Sequence, residues 1–306
     1  MSIPGVERIL VTGAAGMIGR SVLWNLRDTA VATTALVLSD PGDLTADRVV
    51  VGSASDRRTV EDALDQVDAV IHLAALASPS LGTPEQVFVG NTSATFTVLD
   101  AAGAAGVRRI SLASSVNALG LRFTPVPGAA PEYLPLDADA VTYAADPYSM
   151  SKWVDESTAR ALQRRYGFDV VALRYPLVGG LGDVPELDSR LEEMTRPMAA
   201  DPASGAPDLW SYLETRDAGR AAIEALQPRL CGAHVVYVAA PSTYVPIPTE
   251  DLLDKHWPQV SRARPFPGTS VPLDLDPAES LFGFRARYAL GHEHCGPEQL
   301  SQAVQQ

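Results

Sequence analysis

Between residues 8 and 112 the chain alternates short apolar runs with stretches of helical periodicity. The runs at 8–12, 35–39, 48–51, 69–73 and 109–112 predict strands, and 17–28, 57–66 and 84–105 predict helices between them. Strands buried on both faces and joined by helices make an α/β fold, a doubly wound parallel sheet with right-handed crossovers. Later, 153–166 reads as a helix, and 218–226 with 235–239 reads as a return to the same sheet. The segments 176–206 and 241–306 lack this rhythm and are rich in Pro, Gly and acidic residues. They predict a smaller substrate-capping lobe. The expected division is a cofactor domain of 1–175 with 207–240, and a lobe of 176–206 with 241–306.

Ligands of such sheets bind beyond the carboxyl ends of the strands. The first run, Ile9-Leu10-Val11, leads into Thr12-Gly13-Ala14-Ala15-Gly16-Met17-Ile18-Gly19. There Gly13 permits a tight turn, Gly16 lets backbone approach a pyrophosphate, and Gly19 lets helix and strand pack closely. The second run ends in Ser39-Asp40, where a carboxylate suits an adenosine ribose and repels a 2′-phosphate. No Arg or Lys follows in Pro41-Gly42-Asp43, so NAD is favoured over NADP. The fourth run gives His72-Leu73-Ala74-Ala75, small enough for a flat ring or pyrophosphate to lie against, with His72 read as a hydrogen-bonded core residue.

The fifth run ends in Ala113-Ser114-Ser115, followed by a Pro- and Gly-rich stretch, 120–147, too long for an ordinary connection. Then comes Asp146-Pro147-Tyr148-Ser149-Met150-Ser151-Lys152. On a helix Tyr148 and Lys152 share one face. An ammonium beside a phenol favours phenolate, which makes an acid/base usable near neutrality, and Ser115 is placed to hydrogen-bond a reacting carbonyl oxygen.

Composition narrows the class. The 306 residues, 46% hydrophobic and 20% charged, suit one large α/β domain or two closely joined ones. A net charge of -13 argues against a nucleic-acid partner. No apolar run has the length of a membrane span and no basic-then-apolar leader is present, so a cytoplasmic enzyme with a small-molecule substrate is expected. Cys231 and Cys295 stand apart without metal spacing and read as buried thiols; no metal site is expected.

Taken together, these residues resemble the extended short-chain dehydrogenase/reductase family, also described as the NAD-dependent epimerase/dehydratase family, over about residues 7–240. The motifs are the Thr12–Gly19 turn, His72 to Ala75, Asn91 four residues before Thr95, Ser115 five before Gly120, Tyr148 with Lys152, Arg174-Tyr175-Pro176, and Tyr212 to Asp217. The resemblance implies a Rossmann-type sheet with a smaller C-terminal substrate-binding lobe. It implies that Tyr148 transfers a proton, that Lys152 lowers its pKa and holds the nicotinamide ribose, and that Ser115 orients the substrate oxygen. A hydride would pass between nicotinamide and a substrate carbon. Cofactor contacts would come from Gly13, Gly16, Met17, Ile18, Gly19, Asp40, Leu73, Ala74, Ala75, Asn91 and Pro176, besides Tyr148 and Lys152. Family members are often dimers through two helices, for which 84–105 and 148–166 would serve.

The departures bear on substrate. Ser53-Ala54 replaces the Asp and aliphatic pair that reads adenine. Where sugar-nucleotide dehydratases carry Asp-Glu, this chain has Val116-Asn117, so 4,6-dehydration lacks its acid and base. Trp210 stands where an Arg commonly grips a diphosphate, and an indole cannot replace a guanidinium. Ser78, Asn117 and Trp210 are the candidate substrate contacts. A weaker resemblance to uronate dehydrogenases stops at Val116, where they have Asn, and Arg190 and Arg196 are no convincing partners for a sugar carboxylate. Arg285 and Arg287 read as surface charge. The expected activity is oxidation or reduction of a secondary alcohol or ketone on a sugar, sugar acid or similar ring. The alternatives are a sugar or nucleotide-sugar epimerase using the same Ser/Tyr/Lys set, and a dinucleotide-binding protein without catalysis.

Overall fold

Parallel pairing organises the chain around β1, Arg8–Thr12, whose side chains are buried on both faces beyond the first residue. The structure, a computed structural model, describes residues 3–291. After β1 come α1 (Met17–Leu26), β2 (Ala32–Val37), β3 (Arg48–Val51), α2 (Arg57–Ala63), β4 (Ala69–His72), α3 (Pro84–Ala104) and β5 (Arg109–Ser115). The chain continues through β6 (Tyr133–Leu134), α4 (Pro147–Tyr166), β7 (Asp169–Tyr175), β8 (Leu177–Gly179), α5 (Leu191–Ala200) and α6 (Pro202–Gly205). It ends with β9 (Tyr212–Glu214), α7 (Thr215–Glu224), β10 (Ala233–Tyr237), α8 (Thr249–His256), β11 (Ser261–Arg262) and α9 (Asp276–Phe282).

Seven strands form one parallel sheet in the order β3-β2-β1-β4-β5-β7-β10. This is the Rossmann-type arrangement, and strand order reverses between β1 and β4. Strand alternation sends Ile9 and Val11 to one face with α1, α7 and α9, while Leu10 faces the other with α2, α3 and α4. A third core lies beyond the carboxyl ends of the strands. It gathers Trp210, Tyr212, Tyr244, Leu253 and Phe266, together with Leu119, Leu121, Leu134 and Leu136 from the long segment after β5. Among the described residues, no helix is long and apolar enough to cross a membrane.

Local chemistry explains where the elements depart from expectation. α4 begins at Pro147, six residues before the expected start, because Asp146 accepts the N–H groups of Tyr148 and Ser149 at 2.9 Å each and Pro147 takes the first helical position. Tyr148 is therefore on the first turn of a regular helix. β5 runs on to Ser115 through its pairing with β7, so the strand itself carries the hydroxyl. β2 begins earlier, at Ala32, in register with Arg8, which leaves Ser39-Asp40 in an exposed loop past the strand. Cys231 corrects an expectation: its thiol is exposed in the turn before β10 rather than buried. Cys295 lies outside the described residues.

Candidate active site

The turn after β1 is shaped by close backbone approach. Gly13 has φ +67°, and a Cβ there would stand 2.9 Å from the Ala74 amide. A Cβ on Gly19 would be 2.4 Å from the Gly13 carbonyl, so only glycine lets α1 rise this close to the turn. Gly16 caps α1 without any side-chain acceptor, which leaves the first-turn N–H groups and the positive end of the helix dipole open. Two cavities of about 500 and 480 Å³ meet over this turn and share Gly13, Gly16, Leu73 and Ala75. Open amides between two adjoining cavities fit the pyrophosphate and two halves of a dinucleotide.

The adenosine-side cavity is lined by Leu36, Leu38, Ser39, Ser53, Ala54, Ser55, Ala74, Leu76, Asn91 and Ala94. Asp40 is not in its wall. Its carboxylate accepts the Gly42 N–H at 2.8 Å, and Ser39 lines the cavity. Asn91 does line it, with its amide already employed: Nδ2 donates to Ser151 Oγ at 3.0 Å and to the Leu76 carbonyl, and Oδ1 accepts the Leu76 N–H. Ser151 Oγ in turn donates to the Tyr148 carbonyl at 2.8 Å. Asn91 thus ties the loop after β4 to the turn of α4 that carries Tyr148.

The second cavity brings Met17, Ile18, Gly19, Ser115, Asn117, Tyr148, Lys152 and Pro176 together in one cleft. Ser115 Oγ accepts the Asn117 N–H at 3.1 Å, and Lys152 Nζ donates to the Ala113 carbonyl at 2.9 Å. Lys152 is also 3.6 Å from the fully buried Asp155 carboxylate. Burial pushes the Asp155 carboxyl up to about 6, with Lys152 and the Thr95 hydroxyl opposing the rise. His72 is the buried, hydrogen-bonded residue the sequence suggested: Nδ1 shares a 2.7 Å bond with Thr12 and Nε2 faces Thr95 at 3.3 Å. Burial and the Lys152 charge push it down to about 3, so it stays neutral.

Behind the cleft a buried brace joins four elements. Glu156, one turn past Lys152, accepts Arg174 Nε and Nη2 at 2.9 Å each and the Ser114 hydroxyl at 2.6 Å. Arg174 Nη1 donates to the Tyr237 hydroxyl at 3.0 Å. The brace fixes the end of β5, which presents Ser115, against α4, which presents Tyr148 and Lys152.

Three candidate substrate contacts separate. Asn117 is in the cleft wall, whereas Ser78 pairs with Ser80 outside it. Trp210 is fully buried, its Nε1 donating to the Pro202 carbonyl at 2.7 Å and its ring set against His256. It fills the third core and does not line the cleft. Arg190 pairs with Asp188, and neither it nor Arg196 reaches the cleft. Sequence reasoning missed Arg122, Phe123, Met198, Asp208 and Tyr244, which close the far end. Arg122 and Asp208 are 86 residues apart, and no local signal joins them. Asp155 had a signal, a carboxylate one turn after Lys152.

The motif Tyr212 to Asp217 serves as an anchor. Asp217 accepts the N–H groups of Arg287 and Tyr288 and pairs with Arg220, and the Tyr212 hydroxyl accepts the Leu290 N–H.

A family model described as the NAD dependent epimerase/dehydratase family matches residues 9–227. The chain belongs to that family. Among curated relatives, a UDP-glucose 4-epimerase of Azospirillum brasilense is 30% identical over 186 residues, 56% of this chain and 49% of the relative. A uronate dehydrogenase of Pseudomonas putida is 28% identical over 179 residues, 57% of this chain and 62% of the relative. The chain thus spans about half to three fifths of the relatives it matches. The solved UDP-glucose 4-epimerase of Brucella ovis, in complex with NAD, superimposes with a TM-score of 0.69 at 21% identity, covering 93% of this chain and 94% of that one. At that identity the likeness establishes the fold.

Proposed function

We propose that the chain is an NAD-dependent oxidoreductase acting on a secondary alcohol or ketone of a small, sugar-like ring, with Tyr148 as its acid/base. The observation that carries this reading is the meeting of Ser115, Tyr148 and Lys152 in one cleft beside the open amides of the glycine turn. The nicotinamide cofactor, when bound, would accept the hydride in oxidation of the alcohol and return it in reduction of the ketone. The Ser115 hydroxyl orients the substrate oxygen, the Tyr148 phenolic oxygen takes or returns its proton, and the Lys152 ammonium favours the phenolate electrostatically. Val178, Leu177 and Phe123 give the cleft apolar walls that exclude water. The test is NADH formation at 340 nm with NAD and a panel of sugars. Net formation supports the reading, and its absence with every sugar sinks it.

A second reading, a sugar epimerase, is favoured by the similarity to the Azospirillum enzyme. It requires cofactor that stays bound through turnover, so product would form with no net change in NADH. Against nucleotide sugars as substrates stands the burial of Trp210, which leaves that position without a group for a diphosphate.

We also propose that residues 1–175 with 207–240 hold the cofactor and that 176–206 with 241–306 cap the substrate, joined by the loop residues Leu119 to Leu136 that pack with the lobe. A cytoplasmic homodimer is proposed through α3 and α4, which expose Val89, Phe96 and Trp153. Light scattering of Phe96→Glu tests this: a monomer is expected where the parent is a dimer, and a parent that is itself monomeric refutes it.

A further inference from the structure

Beside Ser115, Tyr148 and Lys152, the cleft is lined by further polar side chains from three segments distant in sequence, with Asn117 next to Ser115 and the Arg122–Asp208 pair beyond it. Asn117 and Arg122 come from the chain after β5, Asp208 from the turn before β9, and Tyr244 from the chain after β10. Arg122 Nε donates to Asp208 Oδ2, and Nη2 donates to the Ser204 carbonyl at 3.2 Å. Asp208 is mostly buried, its side chain 12% exposed against 25% for Arg122. Among the described residues, Asp208 Oδ1 and Arg122 Nη1 make no further hydrogen bond. Asn117 Oδ1 is buried and also lacks a partner.

Two consequences follow from the chemistry. Arg122 and Lys152 are the cations lining this cleft, and each already faces a carboxylate, Asp208 and Asp155 respectively. An incoming anion would meet Asp208 as well as Arg122, so this end has no net attraction for negative charge. The free groups are two acceptors, Asn117 Oδ1 and Asp208 Oδ1, and one donor, Arg122 Nη1. Such a set wants hydroxyl donors, and buried acceptors are costly to leave unmade. Space agrees. The whole cleft, including the part beside the glycine turn, is about 500 Å³, room for one ring next to the cofactor.

We propose that Asn117, Arg122 and Asp208 form the substrate-recognition subsite and select an uncharged polyhydroxylated ring over uronates and nucleoside-diphosphate sugars. This deepens the oxidoreductase reading and rests on it for the position of the ring, while its own test is separate. Binding to the NAD-loaded protein is followed by ligand-observed NMR with glucose, galactose, glucuronate, galacturonate and UDP-glucose, alongside NADH formation. The neutral sugars are expected to bind at least about tenfold more tightly than their uronates. Asp208→Asn frees the Arg122 charge, so uronate affinity should rise and the preference should narrow or reverse. Asn117→Ala removes an acceptor that no protein group uses and should weaken neutral-sugar binding by about tenfold, the upper end for one hydrogen bond, with the melting temperature held. Wild-type preference for a uronate or for UDP-glucose overturns the proposal. So does binding of no neutral sugar, or a preference unmoved by both folded variants. Selective binding of neutral sugars with no NADH from any of them upholds the subsite and sinks the oxidoreductase reading instead.

Discussion

The two ends of the cleft are built differently. At the proposed catalytic end, Ser115, Tyr148 and Lys152 stand on a central strand and a capped helix, cross-braced by the buried Glu156–Arg174 pair with Ser114 and Tyr237. At the far end, Arg122 lies in an irregular segment and Asp208 closes a short 3-10 turn, and the two hold to each other through a single ion pair. Catalysis needs positions fixed closely, and regular elements tied by a satisfied buried network supply that. Recognition needs groups that change from one substrate to another, and loops on a rigid scaffold supply those. The proposed chemistry thus sits on the braced part of the fold and the proposed recognition on its loops.

The largest expected effect tests the catalytic end alone. Tyr148→Phe should lower kcat by about 10²- to 10⁴-fold, the range for losing a general acid/base, with unfolding in urea unchanged. Activity within tenfold of the parent would refute the role of Tyr148. Next, Glu156→Ala leaves Arg174 charged and unpaired in the interior and should cost about 3–5 kcal/mol of stability in urea titrations. A loss below about 1 kcal/mol would mean that the brace does not hold this end.

Asp155→Asn probes the buried charge facing Lys152. Because burial raises the Asp155 carboxyl from 3.8 to about 6, the folded protein favours the protonated form. Its stabilising contribution is full below 3.8 and is lost as pH rises through about 6. Lys152 and Glu156 from α4, Thr95 from α3 and neutral His72 from β4 surround this site. The variant should therefore gain on the parent as pH rises from 4 to 7, by roughly 3 kcal/mol at most, in thermal melts across that range. A difference that is flat with pH would refute the buried, raised carboxyl. The smallest effect sharpens the other end. Trp210→Phe shrinks a buried ring and leaves the Pro202 carbonyl unpaired, so it should cost about 2 kcal/mol and leave the sugar KM unchanged, and a KM shifted tenfold would return Trp210 to the substrate wall.

Much of this was legible in the residues because the governing interactions are local. The glycine spacing after β1, the Asp146-Pro147 start of α4 and the four-residue separation of Tyr148 and Lys152 each act within one or two turns of chain. Periodicity likewise foretold the parallel sheet, since strands buried on both faces read as continuous apolar runs. Elsewhere a longer-range choice decided. Pairing with β1 sets the register of β2 from Ala32, and past its end one oxygen of the Asp40 carboxylate bonds its own loop.

What the chain determined by itself is the glycine turn, the spacing of Tyr148 and Lys152 and the sheet that aligns them, because propensity, capping and burial period fix these over short stretches. Tertiary structure alone decided that Trp210 would fill a core, that Glu156 would find Arg174, and that Arg122 would meet Asp208 across 86 residues. Those pairings depend on how the lobe folds back over the sheet, and no residue's neighbours in sequence carry that information.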